Sequence, residues 1–145
     1  MSTAFINDAQ VEHIAKGFLN ANLPKAEWTH PAHFAALLWI LRYRPDLNPE
    51  KDMPGLIRAY NLATGTENSD SSGYHETITL ASITATRAVL ARHASDMSLH
   101  TILNQIMDSS LGKSNWLLTH WLRETLFSVA ARRNWVAPDR TALNP

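Results

Sequence analysis

Residues 34–41 read Phe-Ala-Ala-Leu-Leu-Trp-Ile-Leu, an apolar run with no helix breaker. At about 100° per residue its side chains point to nearly every side of a helix. A helix that is apolar all round has to be enclosed by other elements. The run is also far short of the roughly 20 residues that cross a bilayer. It therefore predicts a central helix wrapped by the rest of the chain. Thr29-His30-Pro31 opens that helix, with Pro31 suited to the first helical position, and Pro45 stops it.

The remaining segments punctuate clearly. Asn7, with Gln10 three residues on, has the form of a capping box, and Val11, Ile14, Ala15, Phe18 and Leu19 follow at helical spacing. A further helix is expected over 49–64, with Leu56, Ile57 and Tyr60 inward and Gly65 as C-cap. Residues 66–73 are polar and Ser-rich and form a loop. Residues 74–93 are rich in Thr and Ile, which favours a strand, but they lack Gly and Pro throughout, which decides for a long helix. Ser98 is expected to cap a short helix to about Met107, and Ser114 a final helix through Ala131. Residues 134–145 then form an extended tail anchored by Trp135 and Val136. Six helical segments without a convincing strand predict an all-α, single-domain helical bundle of five or six helices spanning 1–145.

Composition narrows the function classes. The chain has 145 residues, 45% hydrophobic and 18% charged, enough for one domain with its own core and inconsistent with disorder. Thirteen Lys+Arg balance thirteen Asp+Glu, so a nucleic-acid partner held by phosphate neutralisation is not expected. No membrane partner is expected either. The N-terminus has neither a basic region nor an apolar h-region, so the expectation is a cytoplasmic protein without a secretory signal. Neutral charge and five tryptophans permit a homodimer without requiring one. Cysteine is absent, so any chemistry runs on imidazole and carboxylate, with or without a metal.

The informative residues are polar ones on faces that should be apolar. On the central helix His30 and His33 share one face, and Glu27 precedes His30 by three residues. Glu-x-x-His is a spacing by which helical bundles offer a carboxylate and an imidazole to one metal. On the long helix a strip of His75, Thr79, Ser82 and Thr86 carries no charge, and Glu76 lies beside it. On the final helix His120, Glu124 and Ser128 share an arc with Leu117, Trp121 and Phe127, and Arg132 continues the line. A carboxylate in such surroundings needs a cation, a metal or a ligand. The competing reading is plain structure. Ser and Thr then bond to carbonyls four residues back, the histidines are hydrogen-bonded core residues, Glu124 sits in an internal ion pair, and the tryptophans are core.

The blocks 27–33 (Glu-Trp-Thr-His-Pro-Ala-His), Tyr60-Asn61 with Gly65 and Asn68, and 73–79 (Gly-Tyr-His-Glu-Thr-Ile-Thr) resemble a family of small uncharacterised bacterial proteins, as do Leu126-Phe127-Ser128, Ala131-Arg132 and residues 135–139. The resemblance implies a bacterial, cytoplasmic, single-domain protein and carries no catalytic role with it.

Two functional expectations follow. In the first, the protein is a small metal-dependent enzyme or metal-binding protein acting on a small polar substrate. Glu27, His30, His33 and His75 are its ligands for a divalent metal such as Zn, Mn, Fe or Ni. Glu76 and Glu124 are its catalytic carboxylates, and Tyr60, Asn61, Tyr74 and Arg132 orient the substrate. This requires the segments around His30 and His75 to meet in space. In the second, the protein is a non-enzymatic module that binds a small anion or a partner without any metal.

Overall fold

The apolar run lies in α2 (His30–Tyr43), where Ala32, Phe34, Ala35, Ala36, Leu37, Leu38 and Ile40 are all buried. This comes from a computed structural model that describes residues 5–143; the first four residues of the N-terminus and the last two of the tail lie outside the described residues. Three helices pack directly on α2: α1 (Asp8–Leu19), α4 (Glu76–Ala91) and α5 (Leu99–Asp108). A further helix, α3 (Pro49–Ala63), bridges α1 and α4. The protein is all-α: the described residues contain helices and turns and no strand. No helix among them is long and apolar enough to cross a membrane.

Local chemistry accounts for most boundaries. Asn7 accepts from the Gln10 amide at 3.0 Å and the Gln10 side chain accepts from the Asn7 amide at 3.3 Å, closing the capping box of α1. Gly65, just past α3, has φ +84°, the left-handed conformation that ends a helix without strain in glycine. The β-branched stretch is helical because its hydroxyls serve the helix itself. Thr79, Ser82, Thr84 and Thr86 each donate to the carbonyl four residues back, at 2.7–2.9 Å. Thr79 and Thr86 of the uncharged strip are thus buried and Ser82 half-buried, with their hydroxyl donors satisfied within the helix. The first two residues of the helix expected over 74–93 differ from expectation: Tyr74 precedes the helix, and His75 is the N-cap.

The start of α5 is tertiary. Ser98 occupies the N-cap position but its side chain makes no capping bond. The Asp8 carboxylate does so instead, accepting from the Leu99 amide at 3.2 Å and the His100 amide at 2.8 Å, with the His100 imidazole at 2.6 Å. One residue in the first turn of α1 therefore caps α5 from outside.

The expected final helix over 114–131 does not form. The segment breaks into a 3-10 turn at Trp116–Thr119, α6 (Arg123–Leu126) and α7 (Val129–Arg133). Competing partners explain the breaks. The Asp139 carboxylate accepts from the Leu122 amide at 2.8 Å and the Thr125 hydroxyl at 2.5 Å, the His120 carbonyl accepts from the Arg140 amide at 2.9 Å, and the Ser128 hydroxyl accepts from the Ala131 amide at 3.1 Å. The Leu122 amide, the His120 carbonyl and the Ala131 amide are groups that a continuous helix would use, and these bonds divert them. Trp121, fully buried, donates its indole N–H to the Val136 carbonyl at 2.9 Å. Thr77 fastens the tail by donating to the Asn134 carbonyl and accepting from the Val136 amide. Trp135 stays half exposed, resting edge-on against Trp121.

Replacement of Asp8 by Ala removes both trans capping bonds and is expected to destabilise the fold by about 1–2 kcal/mol, whereas Ser98→Ala stays within about 0.5 kcal/mol. Burial alone would raise the Asp8 pKa; the His100 amide and imidazole and the Leu99 amide overcome this and hold it below the ordinary carboxylate value. Its contribution is therefore present above about pH 4 and fades as pH falls through the lowered value. Denaturant melts of both variants at pH 7 check this; equal losses would show that Asp8 is not the cap that matters.

Candidate functional site

At the start of α2 an aromatic stack sets the geometry. The Trp28 ring lies parallel to Phe18 at 4.7 Å and 5.1 Å from Tyr60, and the His33 ring rests on it at 4.2 Å. The His33 Nδ1–H donates to the Thr29 carbonyl at 2.6 Å, which leaves Nε2 as an acceptor. The His30 Nε2–H donates to the Leu111 carbonyl at 2.8 Å, which leaves Nδ1 as an acceptor. Each imidazole is thus oriented by one backbone carbonyl, and its other ring nitrogen has no hydrogen-bond partner among the described residues. His33 is exposed on its outer side, but desolvation of its ring draws its pKa below the ordinary imidazole value; the Thr29 carbonyl opposes this and the neighbouring His30 adds to it.

The other residues expected at a shared metal site are elsewhere. Glu27 sits on the surface in an exposed pair with His13 at 2.9 Å. His75 spends both ring nitrogens on backbone: Nδ1 accepts from the Ile78 amide at 3.2 Å and Nε2–H donates to the Leu126 carbonyl at 2.7 Å. Glu76 accepts from the Tyr74 hydroxyl. Burial, followed by that carboxylate, pushes the Tyr74 pKa strongly up. Glu124 is exposed on α6, because the apolar arc expected around it depended on a helix that does not form. Among the described residues no three His, Asp or Glu side chains gather as a metal-ligand group. The segments around His30 and His75 thus do not pool their side chains, each imidazole being turned to a different carbonyl.

The four expected substrate-orienting residues divide. Tyr60 is 1% exposed and donates its hydroxyl to the Leu23 carbonyl at 2.9 Å, so it is a core residue. Asn61 donates to Asn68 Oδ1 at 2.9 Å, and Asn68 in turn accepts from the Tyr74 amide at 3.0 Å, which folds the Ser-rich loop. Arg132 Nη1 donates to the Gly73 and Tyr74 carbonyls at 3.1 and 3.3 Å. Arg132 and Tyr74 therefore do meet, at the end of that loop.

His30 and His33 line a cleft of about 380 Å³ between α2, α4 and the broken C-terminal segment. Phe34, Leu37, Ile78 and Leu126 contribute to an apolar wall, and Ser82 brings in the polar strip of α4. Arg123 and Phe127 form the outer rim, with the guanidinium 5.7 Å from the ring centroid. Arg123 is the only formally charged residue in the lining. A cleft of this size, mostly apolar with a few convergent polar groups, has the form of a small-molecule site. Arg123 carries no signal in the sequence, and Phe127 enters there only as part of the apolar arc around Glu124 and of one short block, because spacing along the chain gives no distance from this segment to His30. A larger cleft of about 510 Å³ lies between α4 and α5, but there His93 is engaged at both nitrogens, by the Val89 carbonyl and by Gln105.

Compared with family models, with curated proteins and with solved structures, the chain has no significant match. The chemistry of the site therefore has to carry any functional reading.

His75 supplies a test of this division of roles. Burial lowers its pKa, the Leu126 carbonyl opposing and the charge of Arg132 reinforcing the effect. The fold thus favours neutral His75, and the unfolded chain takes up the proton near pH 6.5. Its contribution to stability is complete above about pH 6.5 and declines as pH falls from there toward the lowered value. His75→Ala loses the cap and leaves the Leu126 carbonyl unpaired, an expected cost of about 2–3 kcal/mol at pH 7. His75→Asn keeps a capping oxygen and cannot be protonated, so its melting temperature is expected to drop less between pH 7 and 5 than that of the parent. An identical drop in both proteins would reject the structural role.

Proposed function

We propose that the protein binds a small molecule with an apolar body and an anionic head in the cleft bounded by His30, His33 and Arg123. The observation that carries this reading is the lining: one guanidinium and two imidazoles on a mostly apolar wall, with Ser82, Ser114 and Asn115 as its neutral polar groups and no carboxylate in it among the described residues. A carboxylate on the ligand would pair with Arg123, and the apolar part would cover Phe34, Leu37 and Ile78. The free nitrogens of His30 and His33 favour a ligand that also carries a hydroxyl or amine donor. Preorganisation supports the reading, since both rings are already oriented by backbone carbonyls. This is the non-enzymatic, small-anion alternative in a more specific form. The metal-dependent reading keeps two of its four ligands, His30 and His33, at the cleft; its remaining ligands would have to come from the bound molecule.

A ligand of about 15 heavy atoms at about 0.3 kcal/mol per atom binds with about −4.5 kcal/mol, a Kd on the order of 0.5 mM. Aromatic and medium-chain hydroxy- and amino-carboxylates titrated into the millimolar range are expected to shift the His30 and His33 imidazole resonances. Arg123→Gln, at an exposed position, is expected to weaken carboxylate binding roughly tenfold while leaving the melting temperature unchanged. The same titrations with Zn, Mn, Fe and Ni address the metal reading. Carboxylates that leave both resonances still, or that bind the Arg123 variant as well as the parent, would refute the proposal.

A further inference from the structure

The loop that begins after α3 ends against α7, and the junction is basic. A separate cavity of about 180 Å³ there is lined by Arg58, Ser69, Asp70, Tyr74, Arg132 and Arg133, together with Asn68. Three guanidinium groups face one carboxylate. Each guanidinium is held in a different way. Arg132 is fixed through Nη1 by the Gly73 and Tyr74 carbonyls, which leaves Nε and Nη2 available. Arg133 is held in a two-point pair with Asp70, with Nε–Oδ1 at 2.8 Å and Nη2–Oδ2 at 2.5 Å. Arg58 lies over the Tyr74 ring, 4.4 Å from its centroid, and its side chain has no hydrogen-bond partner among the described residues. The guanidinium of Arg133 holds the Asp70 carboxyl below its ordinary pKa, and the charge of Arg132 adds to this, which places Arg132 within electrostatic reach of the pair.

The loop that carries Asp70 is rigidly built. Gly73 has φ +79°, and a Cβ there would lie 2.5 Å from the Glu67 carbonyl oxygen and 2.6 Å from Asn68 Oδ1. The Asn68 side chain is itself held at both ends, accepting from Asn61 and the Tyr74 amide and donating to the Arg58 carbonyl at 3.2 Å. The loop side of this open pocket is thus fixed, while Arg58, Asp70 and Arg133 stand exposed around it. Its lining, three guanidiniums and one carboxylate, carries a formal surplus of two positive units, with the Glu76 carboxylate outside the lining on the Tyr74 hydroxyl.

We infer that this cavity binds a phosphate dianion, either free phosphate or the phosphoryl group of a small monoester. The residual charge matches the roughly −1.5 to −2 of a phosphate group near neutral pH better than the single charge of a carboxylate. Guanidinium forks suit its acceptor oxygens, and the stack on Tyr74 holds Arg58 ready at little further entropic cost. The site is distinct from the cleft at His30 and shares no lining residue with it.

Calorimetric titration of the full chain with inorganic phosphate, glycerol phosphate and, as controls, chloride and acetate at constant ionic strength tests the inference. Binding of either phosphate in the millimolar range or tighter, with chloride and acetate at least tenfold weaker, is expected; the ratio of the two phosphates distinguishes a free anion from a monoester. Arg58→Gln, which breaks no side-chain hydrogen bond of the fold, is expected to weaken phosphate at least fivefold with the melting temperature unchanged. Asp70→Asn removes the one carboxylate and releases Arg133, so it is expected to tighten phosphate, a gain that structural damage would not produce. Arg123→Gln is expected to leave phosphate binding unaltered, which separates this site from the carboxylate cleft. Phosphate no better bound than acetate, or an Arg58→Gln protein that binds like the parent, would overturn the inference.

Discussion

Everything else in the molecule is arranged around the enclosure of α2. Phe34, Leu37, Leu38 and Ile40 are each almost wholly withdrawn from water, which is worth about 1.5–3 kcal/mol per side chain before the cost of ordering it. Ala32, Ala35 and Ala36, all fully buried, let neighbouring helices approach closely. Enclosure on three sides by α1, α4 and α5 leaves the first turn of α2 near the surface. That turn carries His30 and His33. The demand that creates the core thus also places the two imidazoles at its mouth.

The walls of the cleft come from polar bonds that end helices. Asp139 and Ser128 cut the last fifth of the chain into short pieces, Trp121 with its Val136 partner ties those pieces together, and Thr77 fastens them to α4. A continuous helix over the same residues would carry Arg123 and Phe127 away from α2. Similarly, Asp8 joins α1 to the start of α5, so the packing of the two helices and the capping of one of them are a single interaction. Among the described residues every buried side-chain nitrogen or oxygen has a hydrogen-bond partner, which explains why so many histidines here are structural. His75 and His93 are both consumed at two nitrogens.

Elements governed by near neighbours are legible in the sequence. The capping box at Asn7, the glycine past α3, the 3.6-residue apolar spacing of α1 and the all-round apolarity of α2 depend on residues within one or two turns. The uncharged strip on α4 is recognisable in the same way, since a face without charge is a buried face, and its hydroxyls bond to their own helix. The expected metal cluster rested on a different kind of inference, namely that Glu27, His30, His33, His75 and Glu76 converge because all lie near helix starts. Spacing along the chain gives no distance between two helices. Glu27 turns outward to His13, and His75 turns to Leu126.

What the sequence determined by itself is therefore the all-α class, the central helix and most of the local caps, because these follow from hydrophobic period and from hydrogen bonds between near neighbours. Only the tertiary structure decided which polar side chains face the cleft, because a donor with an acceptor four residues away and a donor with an acceptor some eighty residues away look alike in sequence. His30 finds the Leu111 carbonyl, Arg123 comes to the rim of the same cleft, and Arg58 settles on Tyr74 through long-range packing alone.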